Sequence, residues 1–134
     1  MIGMAELDYA YLAEYATVQN GTLTAVGASF CEMRAPLPFR RSVTLAGRVR
    51  APRDTAEFEI SVDFDPPGDT PVFSTSGLVT PEIVDQRYAD KVGLLFAVRQ
   101  ELRFTEPGLC EVRVSLDGEL VRTLKFEVID APEP

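Results

Sequence analysis

Cys110-Glu111-Val112-Arg113-Val114-Ser115-Leu116-Asp117-Gly118-Glu119 carries the pattern that decides the fold. Cys110, Val112, Val114 and Leu116 alternate with Glu111, Arg113 and Ser115, so an extended chain here has one apolar and one polar face. Asp117-Gly118 then supplies a two-residue hairpin turn, because both positions tolerate a positive φ. A partner strand follows from Glu119 to Val128, with Leu124, Phe126 and Val128 facing inward. Before the quoted stretch, Glu106-Pro107-Gly108 reads as a turn. Upstream of that turn, Val92, Leu94, Phe96 and Val98 alternate with Gly93, Leu95, Ala97 and Arg99.

The same period of two continues toward the N-terminus. Phe58, Ile60, Val62 and Phe64 alternate with Glu57, Glu59, Ser61 and Asp63 until Asp65-Pro66-Pro67-Gly68-Asp69 breaks the strand, and another strand follows over Val72–Val79. Val43, Leu45 and Val49 alternate with Thr44, Arg48 and Arg50. Thr22–Met33 reads as one long strand whose apolar phase shifts near Gly27, which predicts a β-bulge. Leu7–Val18 fits either a strand or a helix, since Leu7, Tyr11, Tyr15 and Val18 also share a helical face; the Asn20-Gly21 turn favours the strand. Thr80-Pro81 resembles a helix start, so Pro81–Lys91 is expected to hold a short helix.

The expected fold is therefore all-β: a two-sheet antiparallel β-sandwich of about eight strands with at most one short helix. A small β-barrel is the alternative closure. The 134 residues fit one domain, residues 1–134, with 1–3 and 130–134 expected to be flexible ends. With 46% hydrophobic and 25% charged residues, the composition is that of a globular chain. Neither a secretory signal nor a run long enough to span a membrane stands out, and the two cysteines form no spaced motif. A cytoplasmic location with two free thiols is the expectation.

Met4-Ala5-Glu6-Leu7-Asp8-Tyr9-Ala10-Tyr11-Leu12-Ala13-Glu14-Tyr15-Ala16, followed by Asn20-Gly21-Thr22-Leu23 and Val26-Gly27, resembles the opening of a bacterial family of uncharacterised single-domain β-sandwich proteins. That resemblance implies Met4 as the natural start. Pro107-Gly108-Leu109-Cys110-Glu111-Val112 through Asp117-Gly118-Glu119 is similar to the last hairpin of immunoglobulin-like and C2-like sandwiches, in which an aromatic residue is common where Cys110 stands. The matched segments cover a minority of the chain. What they imply is a fold, and function stays open.

Chemistry is constrained by what the chain lacks. It has no histidine, which removes Ser-His-Asp and Cys-His arrangements, HExxH centres and imidazole metal ligands. No phosphate-cradling GxxxxGK[ST], GxGxxG or GxSxG motif occurs. Glu101 and Glu111 are candidate paired carboxylates for glycoside hydrolysis, or else strand-face residues paired with Arg103 and Arg113. The expectation is a protein that is not an enzyme and takes no cofactor.

Two charge features remain. Asp63, Asp65 and Asp69 are candidate calcium ligands at a loop, or turn formers around Pro66-Pro67-Gly68. The net charge of −8 disfavours nucleic acid and anionic membrane as partners. Against that acidity, six arginines stand between Arg34 and Arg53 with no acid among them. Arg40, Arg41, Arg48 and Arg50 are the candidate partner-binding residues; the competing reading pairs Arg48 and Arg50 with Glu57 and Glu59 on the next strand. Tyr9, Tyr11 and Tyr15 suit an interface or a core edge. Cys110 follows the inward phase and Cys31 does not, so the first is expected to be an inert core thiol and the second exposed.

These features point to a protein-interaction module that binds a protein partner or itself as an oligomer. The alternatives are a structural subunit of a phage-like or secretion-type assembly, and a C2-like calcium- or lipid-responsive domain.

Overall fold

The computed structural model describes residues 5–52, 54–80 and 87–132. They form eleven strands and no helix: β1 (Glu6–Ala13), β2 (Tyr15–Gln19), β3 (Thr22–Val26), β4 (Glu32–Ala35), β5 (Phe39–Pro52), β6 (Phe58–Asp65), β7 (Phe73–Val79), β8 (Arg87–Tyr88), β9 (Lys91–Phe104), β10 (Gly108–Leu116) and β11 (Glu119–Asp130). A four-stranded sheet runs β1-β5-β9-β8 and a five-stranded sheet β4-β11-β10-β6-β7, while β2 and β3 make a separate hairpin.

The quoted stretch is β10, its turn and the start of β11. Asp117 and Gly118 both have positive φ, at 49° and 80°, as the tight hairpin requires. Asp117 also ties the turn to β6: its amide donates to Glu59 O at 2.8 Å and its carboxylate accepts from Glu59 N at 2.9 Å. Cys110, Val112, Val114, Phe126 and Val128 are buried, as the alternation demands.

Inward residues of both sheets share one core. Leu12, Val43, Leu45, Leu102 and Phe104 come from the four-stranded sheet; Met33, Val62, Phe64, Val112, Val114 and Phe126 come from the other. Phe39, Phe104, Phe126 and Phe30 form a relay of ring contacts at 5.1, 6.0 and 5.2 Å between centroids. Burying a ring such as Phe104 or Phe126 contributes about 2–3 kcal/mol. A second cluster, of Val49, Ala51, Phe58, Val92, Leu94 and Leu116, continues the core at one end.

Several expectations need correction. There are eleven strands among the described residues instead of eight, because two expected strands are each cut in two and β8 is an additional short strand within the segment expected to hold a helix. Leu7–Val18 is extended, but it breaks at Glu14, whose amide donates to Val26 O at 3.1 Å. At Gly27 the chain leaves its strand altogether. Gly27 and Ser29 both have φ of 62°, and Ser29 N donates to Leu12 O at 2.6 Å. The apolar phase shift there marks a passage from the β2–β3 hairpin to the five-stranded sheet, so the expected bulge is a turn. The pairing is not wholly antiparallel either, since β4 runs parallel to β11. Asp130, expected in a flexible end, closes β11 opposite Ala35 and accepts from Leu37 N at 3.1 Å. Residues 1–3 lie outside the described residues. So do 81–86 of the expected helix; Arg87 and Tyr88 beyond them are extended.

Candidate functional site

The four candidate arginines all lie on β5, but they do not make one surface. About 23 Å of strand separates Arg41 from Arg48. Arg40 stands 4.0 Å from Glu101 with both side chains well exposed, and the Arg41 guanidinium lies 5.3 Å from the Phe39 ring.

Arg48 and Arg50 are built into the outer face of the four-stranded sheet. Glu6 pairs with Arg50 and Tyr9 with Arg48 in the β1–β5 register, which shifts between Leu7 and Tyr9. Asp8 is the additional residue of that bulge, and a bulge re-aims the side chain it inserts. Both Asp8 and Tyr9 consequently address Arg48. Arg48 Nε donates to Asp8 Oδ2 at 2.8 Å, and its Nη2 donates to the same oxygen. Its guanidinium carbon sits 5.2 Å from the Tyr9 ring and 5.2 Å from the Tyr88 ring, within cation–π range of both. Arg50 Nε donates to Glu6 Oε1 at 2.6 Å, and Lys91 Nζ lies 3.6 Å from that oxygen. The Arg50 hydrogen bond holds the Glu6 carboxyl below the usual carboxylate range.

The partners of Arg48 and Arg50 are thus Asp8 and Glu6, not the expected Glu57 and Glu59. The reason is topological: β5 lies between β1 and β9, and β6 belongs to the other sheet. Gly93 gives this cluster its space. A Cβ there would stand 3.2 Å from Arg48 Cδ and 3.3 Å from Tyr88 Cε1. Gly21, Arg87 and Leu95 complete a shallow depression of about 240 Å³ beside it. The sequence reading missed Asp8, Tyr88 and Gly93 as members of this cluster.

The aspartates are dispersed as well. Asp63 Oδ1 accepts from Ser74 Oγ at 2.7 Å, and Asp65 Oδ2 accepts from Arg113 Nη1 at 3.1 Å. Asp69 lies at a separate depression with Arg103 and Glu106. No three acidic or cysteine side chains converge as metal ligands among the described residues. Glu101 and Glu111 fall on β9 and β10, in different sheets, and Glu111 accepts from Arg113 at 3.1 Å. Tyr9 and Tyr11 stack at 6.4 Å, whereas Tyr15 stands beyond the Glu14 break and is exposed. Cys110 is buried with its thiol pushed up to about 12 by desolvation, and Cys31 is exposed and free. No described helix is long and apolar enough to cross a membrane.

The remaining surface feature is β7, the edge of the five-stranded sheet. Thr70-Pro71-Val72-Phe73-Ser74-Thr75-Ser76-Gly77-Leu78-Val79-Thr80 contains no charged residue. Its side chains are largely exposed: Leu78 to 68% and Phe73 to 39%. In the β6–β7 register Phe73 faces Phe64 and Val79 faces Phe58, which puts both on the apolar side of the sheet, while Ser74, Ser76 and Leu78 share the outer side. A Cβ on Gly77 would meet nothing within 4 Å. No strand pairs with the far edge of β7 among the described residues. Edge strands are ordinarily protected by charge, proline or a bulge, and β7 carries none of these within its length.

Among solved structures, the chain is similar to an alkylpurine DNA glycosylase of Pseudomonas fluorescens bound to DNA containing an abasic-site analogue. The match has 15% identity and a TM-score of 0.40, and covers 90% of this chain and 30% of that one. A β-glucosidase from Listeria innocua in complex with glucose matches at 16% identity and a TM-score of 0.44, over 98% of this chain and 16% of that one. The chain therefore spans less than a third of the length of either protein. No curated protein matches the sequence. A family model matches residues 8–129, from Asp8 of the arginine cluster to the penultimate residue of β11, and on that match the chain belongs to a family of unknown function, DUF6941.

Proposed function

We propose that this chain is a non-enzymatic protein-interaction module, a two-sheet β-sandwich that docks a protein partner along β7. The observation that carries the reading is the uncharged edge of Phe73–Val79, whose far side no strand pairs among the described residues, with Phe73 and Leu78 exposed. Such an edge offers main-chain hydrogen bonds for affinity and alternate side chains for selection. The arginine-bearing face is less suited to docking, because Arg48 and Arg50 are already bound to Asp8 and Glu6. Two free thiols, Cys31 exposed and Cys110 buried, suit a reducing cytoplasm.

The test compares partner capture by the wild type with two variants of unchanged melting temperature. Phe73→Ser/Leu78→Lys charges and thins the β7 edge, and Arg40→Glu/Arg41→Glu reverses the exposed arginines. Loss of partners in the first alone supports docking at β7. Loss in the second alone moves the interface to the arginines, and unchanged capture in both removes the reading. A structural-subunit role predicts self-association through the same edge, which sedimentation of the purified chain detects.

A further inference from the structure

We propose that β7 selects an extended segment in which apolar residues alternate with basic ones. This rests on the docking reading above and adds the chemistry of the partner. An added strand continues the pleat of β7, so its side chains point alternately to the two sides of the sheet. On the apolar side it meets Phe73 and Val79, which the β6–β7 register places in line with Phe64 and Phe58. Apolar residues in the incoming strand cover that exposed strip.

The outer side has a different character. There the outer row of β6 carries Glu59 and Asp63: the small side chain of Ser74 stands opposite Asp63, Ser76 opposite Ser61, and Leu78 opposite Glu59. Neither carboxylate has an ion-pair partner among the described residues. Arg113 is opposite Asp63 in register but gives its hydrogen bonds to Asp65 and Glu111, both at 3.1 Å. Asp117 adds a third acid beside Glu59, hydrogen-bonded to its amide. An added strand lies two inter-strand spacings from β6, about 10 Å. A lysine or arginine projecting over Ser74 or Ser76 spans most of that gap with its flexible stem. An acidic residue in the same place meets the Glu59 and Asp63 carboxylates, neither in an ion pair among the described residues, and the net charge of −8. That acidity also disfavours a second copy of this chain as occupant.

The experiment uses three nine-residue peptides in which valine alternates with lysine, serine or glutamate. Each is titrated into the isotope-labelled full chain while backbone amide shifts are followed. The expected result is perturbation confined to β7 and its neighbours, with the lysine peptide about fivefold tighter than the serine peptide and the glutamate peptide weakest. Glu59→Gln/Asp63→Asn, which keeps the Ser74 acceptor, is expected to abolish the lysine preference, as is about 0.5 M salt. Ser76→Lys is expected to reverse it toward glutamate. Equal affinities for all three peptides overturn the selection for basic residues while leaving docking at β7 intact. No binding of any peptide by a folded chain that self-associates at β7 overturns the peptide occupant in favour of a second copy. No binding and no self-association overturns both this inference and the docking reading.

Discussion

Arg48 and Asp8, on adjacent strands, are joined through Nε at 2.8 Å, and they meet because a bulge inserts Asp8 between Leu7 and Tyr9. The arrangement gives one guanidinium a carboxylate acceptor and two tyrosine rings, each 5.2 Å from its carbon. It links β1, β5 and β8, so it secures both margins of the four-stranded sheet.

Asp8→Ala is expected to lower stability by about 1–2 kcal/mol, because it leaves a partly buried guanidinium without its acceptor. The corresponding drop in melting temperature is roughly 4–8 °C. Glu101→Ala, which removes the exposed partner of Arg40, is expected to change stability by less than about 0.5 kcal/mol. Thermal denaturation of the two variants beside the wild type checks the contrast. Equal losses would contradict the unequal roles given to the two ends of β5.

The Glu6 carboxyl is held low by the Arg50 hydrogen bond. A depressed carboxylate contributes stability above its unfolded pKa and loses that contribution as pH falls through its folded value. The pair is therefore expected to weaken on the acid side of the ordinary carboxylate range. Carboxyl-carbon NMR titration reads this directly, and Arg50→Gln should return Glu6 toward its ordinary value. A Glu6 titration unmoved by that substitution would show that the pair does not persist in solution.

Cys110 moves the other way. Its thiol is pushed from 9.0 up to about 12, with desolvation the leading cause and the nearby Asp65 and Glu111 charges adding to it. A raised thiol contributes stability that is full below the unfolded value and declines as pH climbs toward the folded one. Denaturant midpoints should accordingly fall between pH 9 and about 12, and less steeply in Cys110→Ala measured against its own value at pH 8. At pH 8 a disulfide-exchanging reagent should label Cys31 in the native chain and reach Cys110 only after unfolding.

Two glycines in strands should respond oppositely to alanine. At Gly47 a Cβ would lie 2.3 Å from the Tyr9 carbonyl oxygen and 2.9 Å from Phe96 Cζ. Gly47→Ala is expected to cost about 1–3 kcal/mol by forcing β1 from β5. Gly77 faces open space, so Gly77→Ala is expected to be neutral or to stabilise by about 0.5 kcal/mol through the unfolded chain. Chemical denaturation distinguishes the two, and a destabilised Gly77→Ala would mean that β7 is covered in solution.

How much of this was legible in the sequence depended on whether a strand stayed in phase. β6, β9 and β10 keep their alternation throughout, as does β11 from Leu124 to Val128, and their inward residues follow from it. β1 does not. The bulge at Asp8 shifts the inward set from Leu7 to Ala10 and Leu12, which blurs the period of two and produces spacings that also suit a helix. Gly27 announced a change of phase, but whether a glycine bends a strand or ends it is decided by where the chain must go next. The arginine cluster was visible as composition, while its partners depended on strand order. Adjacent strands in sequence suggested Glu57 and Glu59, and the crossover of β6 into the other sheet replaced them with residues forty positions or more upstream. The bareness of β7 was written in its lack of charge, yet only its position at a sheet margin gives that lack a meaning.

The parallel pairing of β4 with β11 bears on how the chain is made. β4 is complete at Ala35, but the strand it pairs with ends at Asp130. During vectorial synthesis Met33, on β4, has no strand to pack beside until almost a hundred further residues have left the ribosome. Phe30 waits equally long for the Phe126 ring. The five-stranded sheet thus closes from its interior only after translation has passed β11, and the nascent chain must carry its early apolar residues uncovered for that interval.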